Sequence, residues 1–344
     1  MSGVDLSRPR RVHLVGVGGA GMSGIARMLI QRGHGVSGSD RQESRTLERL
    51  RALGAEIRVG HEGAAVEGAD VVVRSSAIPD DNPELTAARE AGITLLHRSE
   101  MLAALMEGAR AVLVAGTHGK TTTTSMLVVA LQAAGADPSF AIGGALNEAG
   151  SNAHAGGGDL FVAEADESDR SFLSYRPDLA IVTNVGLDHT DAFSGIDDAI
   201  ATFADFLGRR TEGAPALVCI DDEGSARLTD RVPDVVTYGE DARADLRVVI
   251  QDGGAGVRPG TAARLSADGA ELAEFSTGMP GRHNVLNAAA ALGACHLLGL
   301  DLPAAAEGLK TFRGPLRRFQ PLGSARGVEV IDDYAHNPTK LRAT

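Results

Sequence analysis

Ala111-Val112-Leu113-Val114-Ala115-Gly116-Thr117-His118-Gly119-Lys120-Thr121-Thr122-Thr123-Thr124 is the stretch on which the fold turns. An apolar run suited to a buried strand passes into a glycine-bounded turn, and the turn opens a long helical segment that ends near Gly135. Strand, turn and helix in that order make a phosphate loop. Glycines let backbone N–H groups converge on phosphate oxygens, and the helix N-terminus adds favourable dipole charge. Gly116, Thr117, His118, Gly119, Lys120, Thr121 and Thr122 are therefore read as nucleotide-binding, with Lys120 reaching the β- and γ-phosphates and the Thr121 hydroxyl offered to Mg2+. Val114 stands where the full Walker pattern has its first glycine, so the loop is a shortened variant.

Downstream, two more buried-strand candidates end in polar residues. DLFVAEAD (159–166) leads into Glu164-Ala165-Asp166-Glu167-Ser168-Asp169, and LAIVTNVG (179–186) leads into Asn184-Val185-Gly186-Leu187-Asp188-His189. Carboxylates crowded at a strand's C-terminal end lie where open α/β sheets bind ligands, and a divalent cation would relieve their repulsion; a solvated acidic loop is the alternative. A helix is expected at 196–207. Residues 214–277 read as a partly antiparallel insert, and an Ala/Leu-rich helix begins near Asn284.

Upstream, strands at 11–17, 35–40 and 70–75 alternate with helices at 21–31, 44–53 and 83–91, the order of a parallel doubly wound sheet. Gly16, Gly18 and Gly21 form G-x-G-x-x-G after the first strand, with Gly19 and Ala20 inside it, and Asp40 ends the next strand. Alone, this pattern spells an NAD-dependent oxidoreductase. A second phosphate loop a hundred residues later is foreign to that reading, and points instead to ATP and to a substrate that carries its own nucleotide diphosphate, such as a UDP group. His97 and Arg98, after the apolar run ITLL, are polar groups where such a substrate could lie.

Composition agrees with a folded, soluble chain. The 344 residues are 43% hydrophobic and 23% charged, enough for two or three domains. A net charge of −12 supplies no surface-wide field for nucleic acid. Cys219 and Cys295 are too far apart for a C-x-x-C site and read as core thiols. With no secretory h-region and no membrane-length apolar run, no membrane partner and a cytoplasmic location are expected, as a monomer or weak homodimer.

GTHGKTTTT, EADESD, NVGLDH, GRHNVLNA, and RRF followed by DDYAHNPT stand in the order that the Mur ligase family shows, and GVGGAGMSGIA, SSAIP and HRSEML resemble its alanine-adding branch. The resemblance runs from about Val12 to Lys340. It implies a Rossmann-like UDP-substrate domain (1–107), a P-loop-type ATPase domain (108–324) and the start of a third, Rossmann-like domain (325–344), most of which lies beyond this chain. The implied reaction joins L-alanine to the lactyl carboxylate of UDP-N-acetylmuramate through an acyl phosphate, with ATP and Mg2+; a related ligase that attaches a whole peptide to the same sugar nucleotide shares much of the pattern. The resemblance implies that Thr121, Glu164 and His189 hold the metal and that Lys120 and Arg318 meet the γ-phosphate. Asn284 and Asn287 would hold adenine, and Asp333, Tyr334 and His336 would lie near ATP and substrate. Gly16, Gly18, Gly19, Ala20, Gly21, Asp40, Ser75, His97 and Arg98 would face the UDP-sugar. His336 is followed by Asn337, where the alanine-adding branch usually shows a second histidine. Without most of the third domain, weak binding of UDP-sugar and ATP and poor turnover are expected.

Overall fold

The computed structural model describes residues 4–143, 151–188, 190–251, 257–316, 318–335 and 341. They form two compact units.

The first unit holds residues up to Ala109 together with 139–143 and 152–156. Its elements are β1 (Arg11–Val15), α1 (Ala20–Gln31), β2 (Gly35–Asp40), α2 (Arg45–Ala52), β3 (Glu56–Val59), β4 (Val71–Arg74), α3 (Pro83–Glu90), β5 (Thr94–His97) and α4 (Arg98–Met106). The five strands are all parallel in the order β3-β2-β1-β4-β5. Strand order reverses between β1 and β4, so the glycine loop that follows β1 opens at the topological switch point. The sequence pattern anticipated α1 and β2 closely but not β3, whose residues are mostly exposed and leave little hydrophobic periodicity to read.

The second unit continues with β6 (Arg110–Ala115) and α5 (Lys120–Ala133). A short hairpin follows, β7 (Ser139–Ala141) and β8 (Ala153–His154), and it belongs with the first unit, where both strands pack against α1. Asn152 Nδ2 donates to the Ala20 carbonyl at 2.6 Å, and Ala155 N–H donates to Gln31 Oε1 at 2.8 Å. A division into consecutive blocks near residue 107 does not foresee that excursion, since nothing local in the hairpin sequence names its partner.

The rest of the second unit comprises β9 (Leu160–Glu164), β10 (Leu179–Val182), α6 (Ile196–Leu207), β11 (Ala216–Cys219), α7 (Glu223–Ala226), β12 (Val235–Gly239), β13 (Leu246–Ile250), β14 (Ala263–Ala267), β15 (Ala270–Phe275), α8 (Arg282–Leu297), α9 (Leu302–Lys310), β16 (Gln320–Ala325) and β17 (Val328–Asp332). β6 lies between β9 and β10, parallel to both, and parallel pairing continues through β11, β12 and β13. β13, β14 and β15 then form the antiparallel meander expected for the insert. α5 is buried on nearly all sides and packs on α8 and α9, so its apolar run Met126 to Leu131 covers every face rather than one stripe. Cys219 and Cys295 are buried as expected, and burial pushes their thiols up to about 11 and about 12. Among the described residues no helix is long and apolar enough to cross a membrane.

Candidate active site

The phosphate loop leaves β6 between two neighbouring strand ends, and its shape is set from the β10 side. Thr117 N–H donates to the Asn184 carbonyl at 3.1 Å. His118 N–H donates to Asn184 Oδ1 and its carbonyl accepts from Asn184 Nδ2, each at 2.9 Å. Gly186 N–H donates to Thr117 Oγ1 at 2.8 Å. Asn184, quoted in the sequence reading only as part of a motif, is thus the side chain that clamps the loop. Gly116 adopts φ +141° beneath it, and a Cβ there would lie 2.1 Å from Thr183 Oγ1, so only glycine lets the loop pass β10. Gly119 caps α5 at φ +84°, and the amides of the helix's first turn have no intrahelical partner, which leaves them for an anion.

The acid run from Glu164 to Asp169 does not behave as one cluster awaiting a cation. Lys120 Nζ lies 2.6 and 2.9 Å from the two oxygens of Glu167, which is 1% exposed, and donates also to the Gly116 carbonyl at 2.7 Å. Asp166 accepts from Ser168 N–H and Asp169 from Ser171 N–H, both local turns. The expected crowding is therefore relieved by the loop lysine and by backbone amides. Glu164 turns to the first turn of α5: Thr121 Oγ1 donates to its Oε2 at 3.0 Å. Two hard oxygen donors so close suit Mg2+, although among the described residues no three His, Cys, Asp or Glu side chains gather as a metal site. His189 and His336 lie outside the described residues.

Around the loop opens a cavity of about 620 Å³. It is lined by the loop itself and by Asn184, Asn284, Asn287, Arg318 and Asp333, five residues that the sequence scatters over 150 positions, and also by His283, quoted only inside GRHNVLNA, and by Asp222, which lies in no quoted motif. Asn284 Nδ2 donates to the Pro280 carbonyl at 2.7 Å, and Asn287 Nδ2 donates to Asn284 Oδ1 at 3.3 Å, so the two amides orient one another at the start of α8. Asp333 accepts Phe319 N–H and Ala335 N–H, each at 2.7 Å, which ties the segment after β17 to the one before β16. Arg318 stacks its guanidinium over the Tyr334 ring at 5.5 Å. Tyr334 itself is half exposed.

In the first unit the glycine loop satisfies its own amides. Gly16 and Val17 donate to the Ser39 carbonyl, Gly18 to Asp40 Oδ2 at 2.8 Å, and Gly19 to the Gly16 carbonyl. Asp40, read as facing the substrate, instead clamps the loop with one oxygen and accepts Arg41 N–H with the other. The amides left for a phosphate are those of Ala20, Gly21 and Met22 at the start of α1. Ser75 follows β4, whose last residue pairs with Val15, so it flanks the same loop; Arg98 Nη1 stands 3.5 Å from where a Cβ on Gly21 would be. His97 caps α4 in a capping box with Glu100 and meets Ser76 Oγ at 3.1 Å.

The family model described as "Mur ligase family, catalytic domain" matches residues 11–110, and "Mur ligase middle domain" matches 114–295. The chain is 50% identical to the UDP-N-acetylmuramate–L-alanine ligase of Rhodococcus jostii over 97% of its own length and 71% of that protein's. It is 51% identical to the enzyme of the same name from Streptomyces avermitilis, again over 97% of the chain and 72% of the relative. Among solved structures, the UDP-N-acetylmuramate–alanine ligase of Thermotoga maritima superposes with a TM-score of 0.84 at 30% identity, covering 97% of this chain and 76% of that one.

Proposed function

The chain belongs to the Mur ligase family, and from that membership we propose that it joins L-alanine to the lactyl carboxylate of UDP-N-acetylmuramate at the expense of ATP, a step in peptidoglycan precursor synthesis. The observation that carries this reading is the meeting of Lys120, Thr121, Glu164 and Glu167 at one loop on the wall of a nucleotide-sized cavity. A glycine-loop dehydrogenase would have no use for that second site.

A carboxylate at neutral pH is a poor electrophile, so the lactyl group is activated by attacking the γ-phosphorus, which expels ADP and forms an acyl phosphate; the amine of L-alanine then displaces inorganic phosphate to form the amide. Catalysis here is positioning and charge neutralisation. The first-turn amides of α5 grip the phosphates. Lys120, carried on that turn, moves its charge from Glu167 to the γ-phosphoryl oxygens. Thr121 and Glu164 would hold Mg2+, with His189 added on the strength of the family resemblance; when bound, the ion screens the charge between the two anionic reactants. Asn284 and Asn287 would read an adenine edge, and Arg318 and Asp333 line the same cavity. In the first unit, the α1 N-terminus and Arg98 would take the pyrophosphate of the UDP group, flanked by Ser75.

The deciding measurement is phosphate release from ATP with UDP-N-acetylmuramate and Mg2+, with L-alanine compared against glycine and L-serine. L-alanine dependence supports the assignment. A thermal shift with NAD and none with UDP-N-acetylmuramate would overturn it.

A further inference from the structure

The glycine loop of the first unit hangs from the end of β2, through the Ser39 carbonyl and the Asp40 carboxylate. Ser39 is itself anchored below. Its hydroxyl, wholly buried, donates to Glu84 Oε2 at 2.6 Å, a short bond to a charged acceptor. Glu84 reaches it from the first turn of α3, where Asn82 Oδ1 caps Glu84 N–H at 2.9 Å and Pro83 pre-sets the helix. Two imidazoles face the same oxygen: His61 Nδ1 at 3.3 Å and His13 Nε2 at 3.6 Å. His61 Nδ1 also lies 2.9 Å from Ser39 Oγ, and His13 Nδ1 lies 2.9 Å from Ser37 Oγ.

Glu84 is 0% exposed and His13 is 1% exposed. Glu84 Oε1, His13 Nε2 and His61 Nε2 make no hydrogen bond among the described residues. A buried charge with part of its bonding capacity unmet is a poor way to stabilise a layer that Leu85, Ala88, Val15 and Val72 already pack with apolar surface. What the carboxylate does achieve is to fix Ser39, two bonds away from the loop.

We propose that Glu84 is a positioning residue for the nucleoside-diphosphate end of the substrate: through Ser39 it locks the end of β2, which holds Gly16, Val17 and Gly18 and so aims the first-turn amides of α1. His13 and His61 keep the carboxylate in place. Burial by itself would raise the Glu84 pKa, and the nearby His13 imidazole and the hydrogen bond from Ser39 outweigh it, holding the group below the ordinary range and therefore charged. The inference rests on the reading of the glycine loop as the UDP-sugar site.

The test is calorimetry on this chain with UDP-N-acetylmuramate and, separately, ATP, for Glu84→Gln, Ser39→Ala and the double variant, with amide exchange at Gly16 to Gly18. Each single variant should weaken UDP-N-acetylmuramate about tenfold, leave ATP affinity within about twofold, and speed exchange at those amides. The double should add nothing further, because both act through one bond. UDP-sugar affinity unchanged in Glu84→Gln, or ATP affinity lost in step with it, overturns the proposal; should that variant not fold, Ser39→Ala alone carries the same comparison. The two kinds of failure are distinct. A wild-type chain that ignores UDP-N-acetylmuramate overturns the ligand, whereas unchanged exchange at Gly16 to Gly18 in Glu84→Gln overturns the positioning role.

Discussion

Lys120 and Glu167, 47 residues apart in sequence, form a partly buried ion pair at the phosphate loop, with Nζ 2.6 and 2.9 Å from the two carboxylate oxygens. The lysine that must neutralise a terminal phosphate is thus already neutralised, on a carboxylate 1% exposed to solvent. A nucleotide therefore exchanges one anion for another at Lys120 and takes that cation away from Glu167.

Lys120→Ala should fail twice. Losing one preorganised charge contact to the transferring phosphoryl group costs about 3 kcal/mol of transition-state stabilisation, and removing the cation beside the buried Glu167 carboxylate costs about 3 kcal/mol of stability. Phosphate release and urea unfolding separate the two. Adding Glu167→Gln should return most of the stability and none of the turnover; near-normal turnover in the single variant would remove Lys120 from the reaction.

Glu167→Gln alone should tighten ATP, lowering Kd about fivefold, because the phosphates no longer compete with a carboxylate for Lys120. Titration calorimetry without Mg2+ reads this directly. Weaker binding would instead mean that Glu167 aims Lys120 at its target.

Gly116→Ala should abolish ATP binding and destabilise the chain by roughly 3 kcal/mol, since the new methyl meets Thr183 Oγ1 at 2.1 Å in a backbone region that side chains avoid. Gly33→Ala is the control. Its φ is +83° but nothing lies within 4 Å of the added carbon, so about 1 kcal/mol is expected and ATP affinity should survive. Equal effects at both positions would show that backbone strain, not contact with β10, explains Gly116.

Thr121 and Glu164 predict a graded response to metal. Chelation should abolish phosphate release, and Glu164→Gln should raise the Mg2+ concentration for half-maximal rate by roughly 10- to 100-fold. Thr121→Val, which removes only a neutral hydroxyl donor, should raise it less. A Mg2+ dependence unaltered in both would move the ion elsewhere.

Acid should weaken the wild-type chain through Glu84. Its folded-state pKa lies below the ordinary carboxylate range, so the stabilising contribution is complete above that range and disappears as pH falls through the folded value. The stability gap between wild type and Glu84→Gln, from denaturant curves at stepped pH, should accordingly narrow on acidification. A gap that widens as pH falls would reverse the assignment of Glu84 as the charged partner.

The residues that make the phosphate loop lie next to one another in the chain, so strand, turn and helix were readable from Ala111 to Thr124, as were α1 and β2 on either side of the glycine loop. Lys120, Thr121 and Glu164 were named from the same local order and family pattern, and the fold brings them together. Asp40 was read from its spacing and the family pattern, and one of its oxygens holds the loop's own Gly18 amide while the other accepts Arg41 N–H. Nothing in the sequence marked Glu167 as the partner of Lys120, Asn184 as the clamp on His118, Glu84 as the anchor of Ser39, or the β7-β8 hairpin as part of the first unit. Periodicity and glycine placement are properties of short segments, set by backbone sterics and by which face is apolar. Which carboxylate neutralises which cation depends instead on strand order in the sheet, here β9-β6-β10, and only the packed tertiary structure decides it.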